Sequence, residues 1–123
     1  MMPPDPPYVR AWLCAFIVTL AIETPLLARL ARRSEPSTRR RLAFVLVANL
    51  ASHPLVWFVF PVLPLAWAVT TAISESWAWL LEAAIYRLAF ARATAGSALA
   101  LSLAANALSF VVGLVLSALG ILQ

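Results

Sequence analysis

The chain has 123 residues, 63% of them hydrophobic, where a soluble domain has about 45–50% apolar residues. The excess must meet lipid, and a single domain over residues 1–123 leaves no room for a separate soluble one. The net charge is +4, but all nine basic residues are Arg and six fall between Arg29 and Arg41, so the charge marks membrane topology and excludes nucleic acid as the expected partner.

The N-terminal stretch MMPPDPPY is Pro-rich and acidic where a signal peptide is basic. The apolar run behind it ends in Arg29, Arg32 and Arg33 instead of a small-residue cleavage site. It reads as a retained first span over 8–31. Cys14 lies inside it with no second Cys for a disulfide or a metal knuckle, and reads as a small packing residue. The segment RRSEPSTRRR then turns the chain, and a second span covers 42–60. Pro61 and Pro64 break it. A third span covers 65–91, RATAGS turns at Gly96, and a fourth span covers 97–122. Each is long enough to cross a hydrocarbon core of ~30 Å. The fold class is therefore an all-α membrane protein, a four-transmembrane-helix bundle.

Arg sets the expected orientation. The first and third loops are basic, and the opposite side carries only Arg10. The positive-inside rule puts both basic loops in the cytoplasm and both termini outside. Tyr8, Trp12, Trp57 and Trp67 then fall near the outer interface, where amphipathic rings prefer to sit.

The two halves resemble one another. ETPLLARLAR from Glu23 aligns with EAAIYRLAFAR from Glu82, and LVANLASHP around Asn49 aligns with LAANALSFV around Asn106. Glu23 matches Glu82, Asn49 matches Asn106 and Ser52 matches Ser109. The bundle is accordingly expected to be two like helical hairpins, over 8–60 and 65–122, related by a parallel pseudo-twofold axis along the membrane normal.

Glu23, Asn49, Glu82 and Asn106 all lie ~12–15 Å from the inner interface, one per helix. His53 and Ser109 lie one turn outward on the same faces as the asparagines, and Glu75 two turns outward from Glu82. Two carboxyls in one low-dielectric layer cannot both ionise cheaply. The ion- or proton-binding candidates are thus Glu23, Glu82, Asn49, Asn106, His53, Glu75, Ser52 and Ser109. The plainer reading of the same residues is interhelical glue that only specifies packing. Pro25 and Pro54 free the carbonyls of Ala21 and Leu50, which are expected beside a cavity. His53 with Glu23 and Glu82 is the one metal-site candidate, though no HxxxH or ExxH spacing supports it. Gly113, with Ala105 and Ser109, suggests close helix packing, and Tyr86 an interfacial anchor. Arg33, Arg39, Arg40 and Arg41 are the candidates for anionic lipid headgroups. No nucleophilic triad, phosphate loop or cofactor motif is present, and Ser52–His53 by itself makes no nucleophile–base pair.

Size and an intramembrane Glu in the first span make the chain superficially similar to the small multidrug resistance transporters, but AIETPLL and the strong Arg bias depart from that pattern. NALSFVVG is a loose likeness to a helix of the small fluoride channels. The set ETP, NLASHPLVW, ESWAWLLEAAIY and NALSFVVG resembles a group of small bacterial four-span integral membrane proteins, a likeness that implies a fold and no activity. The expected location is the bacterial inner membrane, with the lipid bilayer as first partner and a homo-oligomer or larger membrane complex as second. The expected role is an ion- or proton-coupled transporter, the alternative a non-catalytic scaffold or accessory subunit.

Overall fold

The computed structural model describes residues 4–122; residues 1–3 and 123, and with them the start of the N-terminal Pro-rich stretch, lie outside it. Four long helices follow in order: α1 Pro6–Leu30, α2 Thr38–Phe58, α3 Trp67–Ala89 and α4 Ala95–Ala118, with a 3-10 turn at Phe60–Val62. All lie close to the expected spans, and among the described residues there is no strand.

Local chemistry places the ends. Asp5 accepts from the Tyr8 amide ahead of Pro6 and Pro7, whose fixed φ suits a first helical turn. Ser37 caps α2 through the Arg40 amide, and Thr94 and Ser97 close a capping box on α4. Pro61 and Pro64 cannot continue α2, so the chain crosses to α3 in a short turn. Pro25 and Pro54 lie inside α1 and α2 without ending either helix.

Each helix packs on its two neighbours in a ring α1–α2–α3–α4, and among the described residues neither diagonal pair brings Cα atoms within 8 Å. The bundle is apolar outside: Ile17, Leu50, Leu80, Leu103, Val111 and Val115 are all exposed. In water such a surface would aggregate; in hydrocarbon it is the expected one. α1, α2 with its 3-10 turn, and α4 are long and apolar enough to cross a membrane. α3 falls short of that composition because Thr70, Thr71, Ser74, Glu75, Ser76 and Glu82 all lie on it. It turns Ser74, Ala78 and Glu82 inward and Ile73, Trp77 and Leu80 outward.

The packed core occupies only the half of the bundle nearest the basic loops. It consists of Leu27 and Ala31, Val45 and Ala48, Tyr86 and Phe90, then Ala93, Ala98, Leu101 and Ala105. Tyr86 is fully buried with its ring stacked on Phe90, centroids 5.0 Å apart, so it is a core residue and not an interfacial anchor. Cys14 is exposed on α1, on the lipid-facing side instead of in the packing.

The basic loops are stitched to each other. The Arg92 amide donates to the Ser34 carbonyl at 2.8 Å. The Glu35 carboxylate accepts from the amides of Ser37 (2.9 Å) and Ala91 (3.1 Å) and from Arg40 Nε (3.3 Å). Arg40 also donates to the Ala89 carbonyl at 2.6 Å. The amide donors of Ser37 and then Ala91, followed by Arg40, hold the Glu35 carboxyl below its ordinary titration range. A carboxylate with a lowered folded-state pKa contributes stability above its unfolded value, and that stability is lost as pH falls through the folded one. We expect Glu35→Gln to melt several degrees below the parent at pH 7 in detergent. The gap should narrow as pH falls below about 4, where the carboxyl of the unfolded chain begins to protonate, and close as the folded chain's carboxyl follows.

Candidate functional site

Helix register carries one polar residue from each helix to the same level. Asn49 Nδ2 donates to Glu23 Oε2 at 2.8 Å, and Asn106 Nδ2 donates to Glu82 Oε2 at 2.8 Å. The serines one turn outward cross to the other hairpin. Ser109 Oγ donates to Glu23 Oε1 at 2.8 Å and Ser52 Oγ to Glu82 Oε1 at 2.6 Å. Each carboxyl thus receives one Asn and one Ser from its two neighbouring helices, and the four helices close into a hydrogen-bonded ring. Each Asn fixes its own rotamer by a second bond to the carbonyl four residues back, Val45 at 3.1 Å and Ser102 at 3.0 Å.

The energetics balance locally. A charged side chain at bilayer depth costs about 2.5–3.5 kcal/mol on insertion scales. Interhelical hydrogen bonds in membranes average about 0.6 kcal/mol and reach about 1.7. Two per carboxyl offset a large part of the cost. Glu23, Glu82, Asn49 and Ser52 are all almost fully buried, so a lost donor would leave a carboxyl oxygen without its protein partner.

Below the ring the packed core begins at once, with Leu27 and Tyr86 one turn from the two carboxyls. The Tyr86 hydroxyl is buried with no hydrogen-bond partner. Above the ring, toward the Arg-poor end, a cavity of about 630 Å³ opens. Its floor is Asn49, Ser52, Glu82, Asn106 and Ser109; Glu23 does not line it. Glu75, Ser74, Thr71 and Thr70 form one wall, and Tyr8, His53 and Trp57 face it. Gly113 also lines this space, and a Cβ there would meet nothing within 4 Å, so it opens the cavity instead of permitting close packing. Ala105, by contrast, is fully buried in the core. Pro25 and Pro54, and the residues whose carbonyls they free, Ala21 and Leu50, are not in the lining; Ala21 and Leu50 are exposed toward the bundle's outside. Their backbone breaks do not open onto this cavity.

His53 belongs to an aromatic box. Its ring stacks on Trp57 at 6.1 Å and meets Phe16 edge-on at 5.2 Å, with Trp12 at 6.5 Å. Its Nδ1 and the Trp12 Nε1 are both buried and unpartnered. The metal candidate of His53 with Glu23 and Glu82 does not assemble: the described residues hold no metal-ligating group of three. The carboxyls are turned to Asn and Ser, and His53 is held among aromatic rings one turn away.

The headgroup candidates divide. Arg33 and Arg39 are exposed, and Arg40 is half-exposed but engaged with Glu35 and lies over the Phe44 ring. Arg41 departs from the expectation. It is buried, and its guanidinium donates to the carbonyls of Glu35 and Pro36 and to Thr38 Oγ1, so it holds the loop's shape.

Sequence reasoning brought together the residues of the ring but missed the aromatic box and the Glu35 clasp. A signal existed for each. Tyr8, Trp12, Phe16, Thr19, Glu23 and Leu27 recur at helical spacing on one face, and Glu35 is the sole acid within the Arg-rich loop. No protein-family model, curated protein or solved structure matches the chain. We expect Asn49→Leu and Asn106→Leu to destabilise the bundle by similar amounts, about 1–3 kcal/mol each, since each strands one buried carboxyl oxygen. Reversible unfolding in mixed micelles checks this; a loss at one position only would mean the two halves of the ring are unequal.

Proposed function

We propose that the chain is a four-span inner-membrane protein of a bacterium that couples an ion or proton to transport through Glu82 and Glu23. The observation that carries this reading is one-sided access. A cavity descends to Glu82 from the Arg-poor end, while the half below the ring is filled by packed side chains. A carrier in one of two access states has this form, with its ionisable group at the boundary between cavity and seal. Glu82 is the group in contact with the cavity. Glu23 completes the ring from behind and would accept the proton or charge that Glu82 passes on.

A parallel repeat of two hairpins is the supporting architecture. In favour of it, Glu23, Leu27, Ala31 and Ser34 are buried in the first half and their aligned counterparts Glu82, Tyr86, Phe90 and Ala93 in the second. The caps Ser37 and Thr94 and the buried Ala48 and Ala105 also correspond. The third span, α3, fits lipid on its outer face and the ring on its inner one. The proposed orientation, with basic loops inside and termini outside, rests on the exposed Arg29, Arg32, Arg33 and Arg39 at one end. Arg33 and Arg39 are also the guanidinium groups available to anionic lipid headgroups.

A second reading is favoured by a specific observation: both carboxyls are fully served by hydrogen bonds, as in a bundle whose polar ring only fixes helix register. Reconstituted vesicles containing a pH-sensitive dye separate the two. In the coupling reading an imposed ion or pH gradient drives proton flux through the parent, and Glu82→Gln lowers it at least tenfold while the melting temperature is kept. In the scaffold reading the parent shows no flux above empty vesicles, and both Glu→Gln variants assemble normally. Orientation is checked on a Cys14→Ala background. Cysteines placed at Arg33 and Gly96 should label only from the cytoplasmic face and one at Val62 only from outside; labelling of Arg33→Cys from outside would reverse the topology.

A further inference from the structure

The cavity is too large for the ion or proton that the ring could hold. At about 630 Å³ it lies in the range of organic-ligand pockets, about 300–1,000 Å³. Its lining carries two carboxyls, Glu75 and Glu82, and neither Arg nor Lys. Glu82 already accepts from Ser52 and Asn106. Among the described residues Glu75 receives no hydrogen bond, although it sits half-buried on the cavity wall. A carboxyl left without a partner at this depth is costly, and a ligand cation removes the cost.

The surroundings of Glu75 select the kind of cation. Thr71 is one turn along α3 on the same face, and Ser74 is its chain neighbour; both line the cavity and both carry acceptor hydroxyls. Tyr8 and Trp57, their ring centroids 5.6 Å apart, form one aromatic wall of the space, and Phe110 lines it from α4. The Tyr8 hydroxyl is committed to the Trp57 carbonyl, so that wall offers aromatic surface and no free phenol donor. His53, nine-tenths buried, also lines the space, with its ring held among Trp12, Phe16 and Trp57. The sites for N–H donors are thus a carboxylate and hydroxyls, and much of the rest is apolar and aromatic.

We infer that this cavity binds an organic ammonium ion with an apolar or aromatic body, the ammonium on Glu75 and the body against the Tyr8–Trp57 wall. The ammonium supplies N–H donors to the carboxylate and hydroxyls, and the aromatic wall takes up the apolar body. The inference rests on the cavity being the access side of a transport site, and it names the substrate class of that site.

The test uses the full chain in lipid nanodiscs, with tryptophan fluorescence as readout and empty nanodiscs as the partition control. The probes are 4-phenylbutylammonium, the uncharged 4-phenylbutanol and the anionic 4-phenylbutanoate. Saturable binding is expected for the ammonium alone. Glu75→Gln should weaken it at least fivefold. Gly113→Leu, which fills the open space beside an intact Glu75, should weaken it at least fivefold as well. Melting temperature reports folding of both variants, and because they act by different means the failure of one to fold leaves the other decisive. Equal binding of the alcohol, no saturable binding of the ammonium, or a loss below fivefold in the folded variants overturns the inference. If proton flux still depends on Glu82 in that event, only the substrate class falls. If ammonium binding follows the expected pattern while no coupled flux exists, the transport reading falls and the binding site stands.

Discussion

The pairing of each buried carboxyl with one Asn and one Ser from two different helices governs the architecture. Glu23 joins α1 to α2 and α4; Glu82 joins α3 to α4 and α2. No helix can slide by a turn without separating a donor from its acceptor. In lipid, apolar side chains gain little by meeting each other, so register must come from close packing and such polar contacts. This ring supplies register at mid-bundle, and the Glu35 clasp supplies it again at the basic end.

The ring also divides the bundle into unlike halves. Below it, small residues such as Ala48 and Ala105 let the helices approach, and Tyr86 and Phe90 fill what remains. Above it the two hairpins part company in chemistry. The α1–α2 side is filled by Trp12, Phe16, His53 and Trp57, while the α3–α4 side offers Thr71, Glu75 and Gly113. Aromatic bulk on one side and small or polar groups on the other leave the cavity. The same contrast gives it an aromatic wall opposite a carboxyl, and that juxtaposition, more than the ring itself, defines what kind of molecule suits it.

Structural and chemical roles need not compete here. A carboxyl pair held by four donors is rigid, yet its outer member contacts a cavity large enough for an organic molecule. Under the proposed coupling, ligand charge arriving above would alter the ring's proton content, and the ring's geometry would in turn set the bundle's packing below. The core residues Leu27 and Tyr86 lie one turn beneath the carboxyls.

The sequence by itself determined the four helices, the excess of apolar surface and the depth of Glu23, Asn49, Glu82 and Asn106, because hydropathy, helix-breaking prolines and a fixed rise per residue are local properties. It also determined which end is basic. Tertiary structure alone decided which donor meets which carboxyl, with Ser52 crossing to Glu82 and Ser109 to Glu23, because such pairing depends on how four helices are arranged around an axis. It decided that Tyr86 and Arg41 turn inward, that Gly113 faces open space and that His53 is enclosed by rings instead of joining the carboxyls. Those outcomes depend on which of several neighbouring surfaces a side chain meets, and a helix's own sequence carries its face and depth but not the identity of the partner across from it.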